Sequence, residues 1–209
     1  MSNLYEAIPF IENPLYERII SDISSQKYSI VDDFFSEEEV IALRHSLLLK
    51  DEEAAFKTSA IGNKTHELVK KTVRGDRIFW IDERVINVTE QMFFAKINDL
   101  QTYLNQTCFL GIQDKEFHYA MYPKGTFYKR HLDTFQNDDR RKLSLVCYLN
   151  SEDWQPENGG ELVLYLDGKD EVIYPLPGKV VIFESQELEH EVKPVTTTRL
   201  SITGWFKTR

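Results

Sequence analysis

From Glu116 onward, short β-rich segments alternate with turn residues, and this cadence limits the fold more than any other feature of the sequence. The segments are Glu116–Tyr122, Phe127–Asp133, Lys142–Leu149, Glu161–Leu166, Glu171–Tyr174, Lys179–Phe183, His190–Lys193 and Arg199–Phe206. They break at Pro123-Lys124-Gly125, Asn158-Gly159-Gly160, Asp167-Gly168 and Pro177-Gly178. Gly, Pro, Asn and Asp supply the backbone angles that tight turns require. Short strands at this spacing predict a jelly roll or closed barrel rather than a parallel α/β sheet.

The first half mixes helices with strands. Leu15, Ile19, Ile20 and Ile23 recur at helical spacing between Pro14 and about Ser24. Ser36 with Glu39 forms a capping box ahead of Val40, Leu43 and Leu47, and so predicts a second helix. Val88 to Leu104 carries the apolar stripe of a third, with Met92, Phe93, Ile97, Leu100 and Leu104. Tyr28–Phe34 and Arg77–Ile81 read as strands. The fold class is mainly β with flanking helices, the helices covering one outer face of the β core. With no repeat and no low-complexity linker, the 209 residues read as one domain. N-terminal helices and supporting strands occupy 1–107, and the jelly-roll core occupies 108–209.

The formal net charge is −9, which argues against nucleic acid as a partner, since phosphate-binding proteins gather a basic face. Arg140-Arg141-Lys142 is a short basic run preceded by Asp138 and Asp139, and it reads as a solvated loop. Cys108 and Cys147 are too few for a disulfide framework or a zinc site, and their apolar neighbours suit buried reduced thiols. The start of the chain has no basic, apolar signal pattern. No run approaches the roughly 18 apolar residues of a transmembrane helix. These features point to the cytoplasm and away from a membrane. With no spare apolar helix face or coiled-coil repeat, the expectation is a monomer.

Three residues carry candidate metal chemistry. His131 and Asp133 fall two apart on a predicted strand, so both side chains share a face. His190, from a later strand, would complete two imidazoles and a carboxylate on one side of an ion. That set leaves neighbouring positions open and suits non-haem iron(II); zinc is the rival metal. The bland reading is two hydrogen-bonded histidines and a surface aspartate. The last strand adds weight to the metal reading. Arg199, Ser201, Thr203 and Trp205 share one face, while Leu200, Ile202 and Phe206 share the other. A buried arginine needs an anion, and its planar fork suits a carboxylate, whether from a ligand or from a buried Arg–Glu pair.

An ordered series of motifs then resembles the prolyl-4-hydroxylase type of iron(II)- and 2-oxoglutarate-dependent oxygenase. The series is HYAMYPKGTFYKRHLD at 118–133, KLSLVCYLN at 142–150, GGELVLY at 159–165, PGKVVIFES at 177–185 and HEV at 190–192, followed by Arg199 and Trp205. Upstream, Arg74-Gly75-Asp76 with Ile78, Trp80 and Ile81 is similar to the segment before the core in the HIF-type prolyl hydroxylases and their bacterial relatives. An adhesion reading of that Arg-Gly-Asp triplet has no secretion signal to support it. The resemblance spans about 28–209.

The resemblance implies a double-stranded β-helix supported by N-terminal α-helices, and an enzyme that uses Fe(II), 2-oxoglutarate and O2, with ascorbate as a possible helper. It implies His131, Asp133 and His190 as iron ligands and Arg199 as the partner of the distal carboxylate of 2-oxoglutarate. Tyr148, Tyr122 and Thr203 would join the co-substrate site. Tyr128, Trp205, Arg74 and Asp76 would lie on the substrate side. The implied reaction hydroxylates a prolyl residue of a protein, with an elongation factor or a regulatory protein as the class of target, and releases succinate and carbon dioxide. Hydroxylation of a free amino acid or another small molecule is the alternative within the enzyme class. A nucleic-acid dealkylase and a metal-free jelly-roll binding module are the more distant rivals. Two departures stand out. His118 replaces a more apolar residue of the animal enzymes and reads as a hydrogen-bonded core histidine. The segment 56–74, with Lys57, Thr58, Gly62, Asn63, Lys64, Lys70 and Lys71, is polar and basic where a substrate-covering loop is expected.

Overall fold

The structure, a computed structural model, describes residues 11–53, 55–58, 73–134 and 139–209. The loop expected at 56–74 lies outside these except for 56–58 and 73–74.

Local signals set the helices. Helix α1 (Pro14–Gln26) starts on the Asn13 side chain, which accepts from the amides of Leu15 and Tyr16, with Pro14 in the first turn. It stops at Lys27, whose left-handed backbone (φ 71°) returns its N–H to Ile23. Helix α2 (Glu37–Glu52) opens on the Ser36–Glu39 capping box that the spacing predicts. Helix α3 (Val88–Cys108) opens on a second box, Asn87 with Glu90, and outruns its predicted end at Leu104 by one turn.

The strands follow the turn signals, with ends that move by up to three residues in either direction. They are β1 (Tyr28–Val31), β2 (Lys57–Thr58), β3 (Arg77–Trp80), β4 (Asp114–Tyr122), β5 (Tyr128–His131), β6 (Arg141–Tyr148), β7 (Leu162–Leu164), β8 (Glu171–Ile173), β9 (Val180–Glu184), β10 (His190–Val192) and β11 (Arg199–Lys207). Among the described residues they form two antiparallel sheets. The larger runs β1-β9-β6-β11-β4-β3-β2 and the smaller β5-β10-β7-β8. This two-sheet sandwich, with three α-helices among the described residues, is the predicted mainly β class, and similar solved structures share its jelly-roll fold.

The larger sheet has two buried faces, and β11 shows why. Leu200, Ile202 and Phe206 enter a core shared with Phe93, Ile97 and Leu100 of α3 and with Leu43 and Leu47 of α2. Arg199, Ser201, Thr203 and Trp205 point the other way, between the sheets, as the alternation predicts. On β6, Leu143, Leu145 and Cys147 face the helices, while Val146 and Tyr148 join the second core between the sheets. Some apolar side chains remain on the helix surface, Ile41, Leu48 and Leu49 of α2 among them, against the expectation of no spare apolar helix face.

Gly204 breaks the apolar run of β11 for a steric reason. It pairs with Phe117 across the sheet, and a Cβ there would sit 2.2 Å from Phe117 Cδ1 and 2.3 Å from the Glu116 carbonyl oxygen. The Phe117 ring lies edge-to-face with Phe93 at 5.3 Å and Phe206 at 6.0 Å, so it joins sheet to helix. Because one of the clashing atoms is backbone, the sheet itself would have to shift. Gly204→Ala should therefore destabilise the fold by about 1–3 kcal/mol, the usual range for overpacking. Urea unfolding measures this, and a midpoint equal to that of the wild type would contradict the packing account.

Candidate active site

His131 ends β5 and pairs directly with His190 at the start of β10. Strand pairing therefore brings together two imidazoles that lie far apart in sequence. With Asp133, they place one ligand atom each within 4.8 Å of one another. Asp133 is 3.5 Å from His131 (Nε2 to Oδ1) and 3.6 Å from His190 (Nε2 to Oδ2). Each ring is oriented from behind. His131 Nδ1 lies 2.7 Å from the Lys129 carbonyl, and His190 Nδ1 lies 3.1 Å from that of Leu188. A carbonyl only accepts, so both Nδ1 atoms carry a proton and both Nε2 atoms are turned towards the shared centre. Burial pushes the His190 imidazole down to about 4, which leaves a neutral ring at working pH.

Asp133 reaches this position by a route the strand argument did not foresee. β5 ends at His131, and Asp133 sits in the bend beyond it, so shared strand facing does not place its carboxylate. Two hydrogen bonds do. Arg141 Nη1 donates to the Asp133 carbonyl at 3.0 Å, and Ser144 Oγ donates to Oδ2 at 2.7 Å. Burial alone would raise the Asp133 carboxyl, but His190, His131 and the Ser144 hydroxyl hold it far below the ordinary carboxylate range.

At the other end of the space between the sheets, Arg199 is only 2% exposed. Among the described residues it has no carboxylate partner, which sets aside a buried Arg–Glu pair. Among those residues its side-chain hydrogen bond is a long one, 3.4 Å from Nη1 to Ser201 Oγ, and its Nε is buried without a partner. The guanidinium carbon stands 4.9 Å from the ring centroids of both Tyr122 and Tyr148. Burial pushes both phenols up, so both hydroxyls stay protonated, and that of Tyr148 makes no hydrogen bond among the described residues. A buried cation and an idle hydroxyl donor, both lacking an acceptor, fit one end of a dianion such as 2-oxoglutarate. The two histidines and one aspartate fit an iron(II) ion.

One cavity of about 550 Å³ joins the two ends. Of the sequence-derived site residues, His131, Asp133, His190, Arg199, Tyr122, Thr203, Tyr128, Trp205, Arg74 and Asp76 all line it. Tyr148 does not: it lies fully buried beside Arg199 instead of on the wall. Arg74 grips Asp76 through two bonds, at 2.7 and 2.5 Å, and lies 4.3 Å over the Tyr128 ring. Tyr128 in turn stacks on His131 at 3.6 Å. Gly75 permits this approach, since a Cβ there would meet Thr126 at 2.8 Å. Asp76 is 1% exposed, which leaves the triplet unsuited to adhesion.

Two further residues differ from the sequence reading. Arg141, read as part of a solvated run, is partly buried in the cavity wall. It pairs with Glu116 and lies 3.5 Å over the Trp205 ring. No sequence signal announced this: strict alternation groups Arg141 with Leu143, Leu145 and Cys147, which face the helices, and the pairing with β11 shifts register between Phe206 and Lys207, opposite Arg141. His118 is buried between Trp80 and Trp205, outside the ligand cluster, as a core histidine should be. Its Nδ1, however, makes no hydrogen bond among the described residues, contrary to expectation.

The match to known proteins follows the same residues. Positions 117–207 match the family model of the 2OG-Fe(II) oxygenase superfamily. A crystal structure of a Pseudomonas putida prolyl-4-hydroxylase is similar with a TM-score of 0.85 and 38% identity, over 94% of this chain and 100% of that one. A Trichoplax adhaerens prolyl hydroxylase, solved in complex with a hypoxia inducible factor oxygen degradation domain peptide fragment, is similar with a TM-score of 0.82 and 26% identity, over 92% and 89%. Egl nine homolog 1 of Homo sapiens is 28% identical over 200 residues, covering 91% of this chain and 46% of that protein. The chain spans about half the length of the curated relatives it matches.

Gly160, at φ 71°, leaves room for the arginine: a Cβ there would stand 2.8 Å from Arg199 Cδ and 2.7 Å from Val195 Cγ1. Gly160→Ala should weaken 2-oxoglutarate binding at least about tenfold, as displacement of a charge-assisted contact does, while sparing metal binding. Calorimetric titration of both ligands checks this, and equal losses for both would contradict it. Burial, aided by the Arg74 guanidinium, pushes His118 from 6.5 down to about 3. The unfolded chain therefore takes up this proton first, and stability falls as pH drops from about 6.5 towards 3. Relative to His118→Phe, the wild type should lose stability over that window with a slope approaching about 1.4 kcal/mol per pH unit. Urea unfolding at a series of pH values gives the slope, and parallel profiles would contradict it.

Proposed function

The chain belongs to the 2OG-Fe(II) oxygenase superfamily, and on that premise we propose that it hydroxylates a prolyl residue of a protein with iron(II), 2-oxoglutarate and oxygen. The observation that carries this reading is the joining of a two-histidine, one-aspartate cluster and an anion-less buried arginine by one cavity. His131, Asp133 and His190 would hold the iron. Arg199 would hold the distal carboxylate of 2-oxoglutarate, with Tyr148 donating beside it, Tyr122 near the metal-bound end of the co-substrate and Thr203 beside the iron. The bound metal supplies oxygen activation coupled to decarboxylation of the co-substrate to succinate.

The chain's own contribution is position and dryness. Arg199 fixes one end of the co-substrate, and the two Nδ1–carbonyl bonds fix the imidazoles. The apolar walls from Val146, Leu162, Phe183 and Val192 keep water away. Tyr128 and Trp205 face the prolyl segment in this reading, and the Arg74–Asp76 pair steadies Tyr128. Trp80, 48% exposed, and Leu132, 38% exposed, stand at the rim of the same cavity, where a polypeptide would pass. The Pseudomonas and Trichoplax neighbours are named as prolyl hydroxylases, and the second was solved with a peptide. Neither favours a free amino acid as substrate. The reading takes 1–209 as one oxygenase domain, acting as a monomer in the cytoplasm. Free thiols at Cys108 and Cys147 agree with that compartment, and among the described residues no helix is long and apolar enough to cross a membrane.

The direct experiment supplies purified protein with iron(II), ascorbate, 2-oxoglutarate and oxygen, and then offers proteins from its source cell. Peptide mass spectrometry should find one added oxygen on a prolyl residue, together with succinate, and neither with Asp133→Ala. Turnover driven only by small metabolites would overturn the protein substrate.

A further inference from the structure

Behind Asp133 lie two hydroxyls that none of these roles uses. Ser144 on β6 donates to Asp133 Oδ2 at 2.7 Å, and its oxygen is 2.8 Å from Ser185 Oγ, just past β9. Both serines are fully buried. Proton inventory fixes the direction of both bonds. An ionised carboxylate only accepts, and a serine has one hydroxyl proton to give. The proton of Ser144 goes to Asp133, so Ser185 must donate to Ser144. The result is a one-way chain from Ser185 through Ser144 to Asp133, whose bonds strengthen one another.

The setting makes these hydroxyls unusual. Ser144 shares the inward face of β6 with Val146 and Tyr148, and its partners across the sheet are Phe183 on β9 and Trp205 on β11. An alanine would suit that packing. Asp133, meanwhile, lies beyond the end of β5, and no ladder bond fixes its side chain. Ser144 is the one hydroxyl that reaches its carboxylate among the described residues. It engages Oδ2 and leaves Oδ1, facing His131 Nε2 at 3.5 Å, without a hydroxyl donor.

We propose that the Ser185–Ser144 pair is the positioning device for the metal-binding carboxylate, directing Oδ1 to the ion while Oδ2 stays tied to the sheet. Ser144 and Ser185 are positioning residues and touch neither the metal nor the substrate. The proposal rests on the metal-site reading and adds to it the support that makes an off-strand aspartate a rigid ligand.

The test uses the full chain and cobalt(II), whose visible absorption reports ligand geometry. Ser144→Ala should bind cobalt(II) about tenfold more weakly, the lower end of the loss typical when an outer partner of a ligand is removed, with an altered visible spectrum. Ser185→Ala keeps the direct bond but removes its support, and should show a smaller loss with the same spectral change. Wild-type affinity and spectrum in a Ser144→Ala protein that unfolds cooperatively would overturn the proposal. Should that variant fail to fold, Ser185→Ala decides by the same two readouts, and unchanged values overturn it. A wild type that binds no cobalt(II) would instead overturn the metal site itself.

Discussion

A guanidinium held out of water without an anion is costly, and Arg199 is held in that condition by the whole sandwich. It sits at the start of β11, between β4 and β6 in the larger sheet, with tyrosine rings on two sides. Gly160 gives up its Cβ to make room for the side chain. None of this supplies the missing charge. The arrangement is favourable only when a carboxylate enters the cavity, and so the fold is organised around a ligand it does not itself contain.

The metal end follows a different logic. Its ligands come from the smaller sheet and the loop beside it, where β10 pairs with β5 and sets two histidines face to face. Rigidity comes from behind: carbonyls orient the imidazoles, and a serine and an arginine from β6 secure the aspartate. In the proposed reading the larger sheet would hold the co-substrate end and brace the metal end, while the smaller sheet presents the imidazoles. The helices on the outer face, locked through Phe117 over Gly204, keep the larger sheet in place.

Much of this was legible in the sequence because it depends on local rules. Turn residues marked the strands, Ser36 and Glu39 marked the start of α2, and the alternation of β11 separated the interior from the helix core. What escaped depends on distant partners. The role of Ser144 arises only when the bend at Asp133 folds against β6, and nothing within KLSLVCYLN announces it. Arg141 looked solvated beside acidic neighbours in sequence, whereas its partners Glu116 and Trp205 are brought to it by β4 and β11. The placement of Asp133 on a strand failed for the same reason, since the end of β5 is set by tertiary contacts and not by residue type. The capping box of Asn87 with Glu90 is, by contrast, as local a signal as that of α2.

The central claim, that Arg199 waits for the far carboxylate of a 2-oxo diacid, is tested most directly by comparing two ligands. Binding of 2-oxoglutarate and of 2-oxobutyrate, which lacks the distal carboxylate, would be measured by calorimetry on manganese(II)-loaded protein and on its Arg199→Gln variant. The account predicts that the wild type prefers 2-oxoglutarate by about a hundredfold or more, as expected for a buried charge-assisted pair, and that the variant loses most of that preference. Equal affinity for the two ligands in the wild type would contradict it.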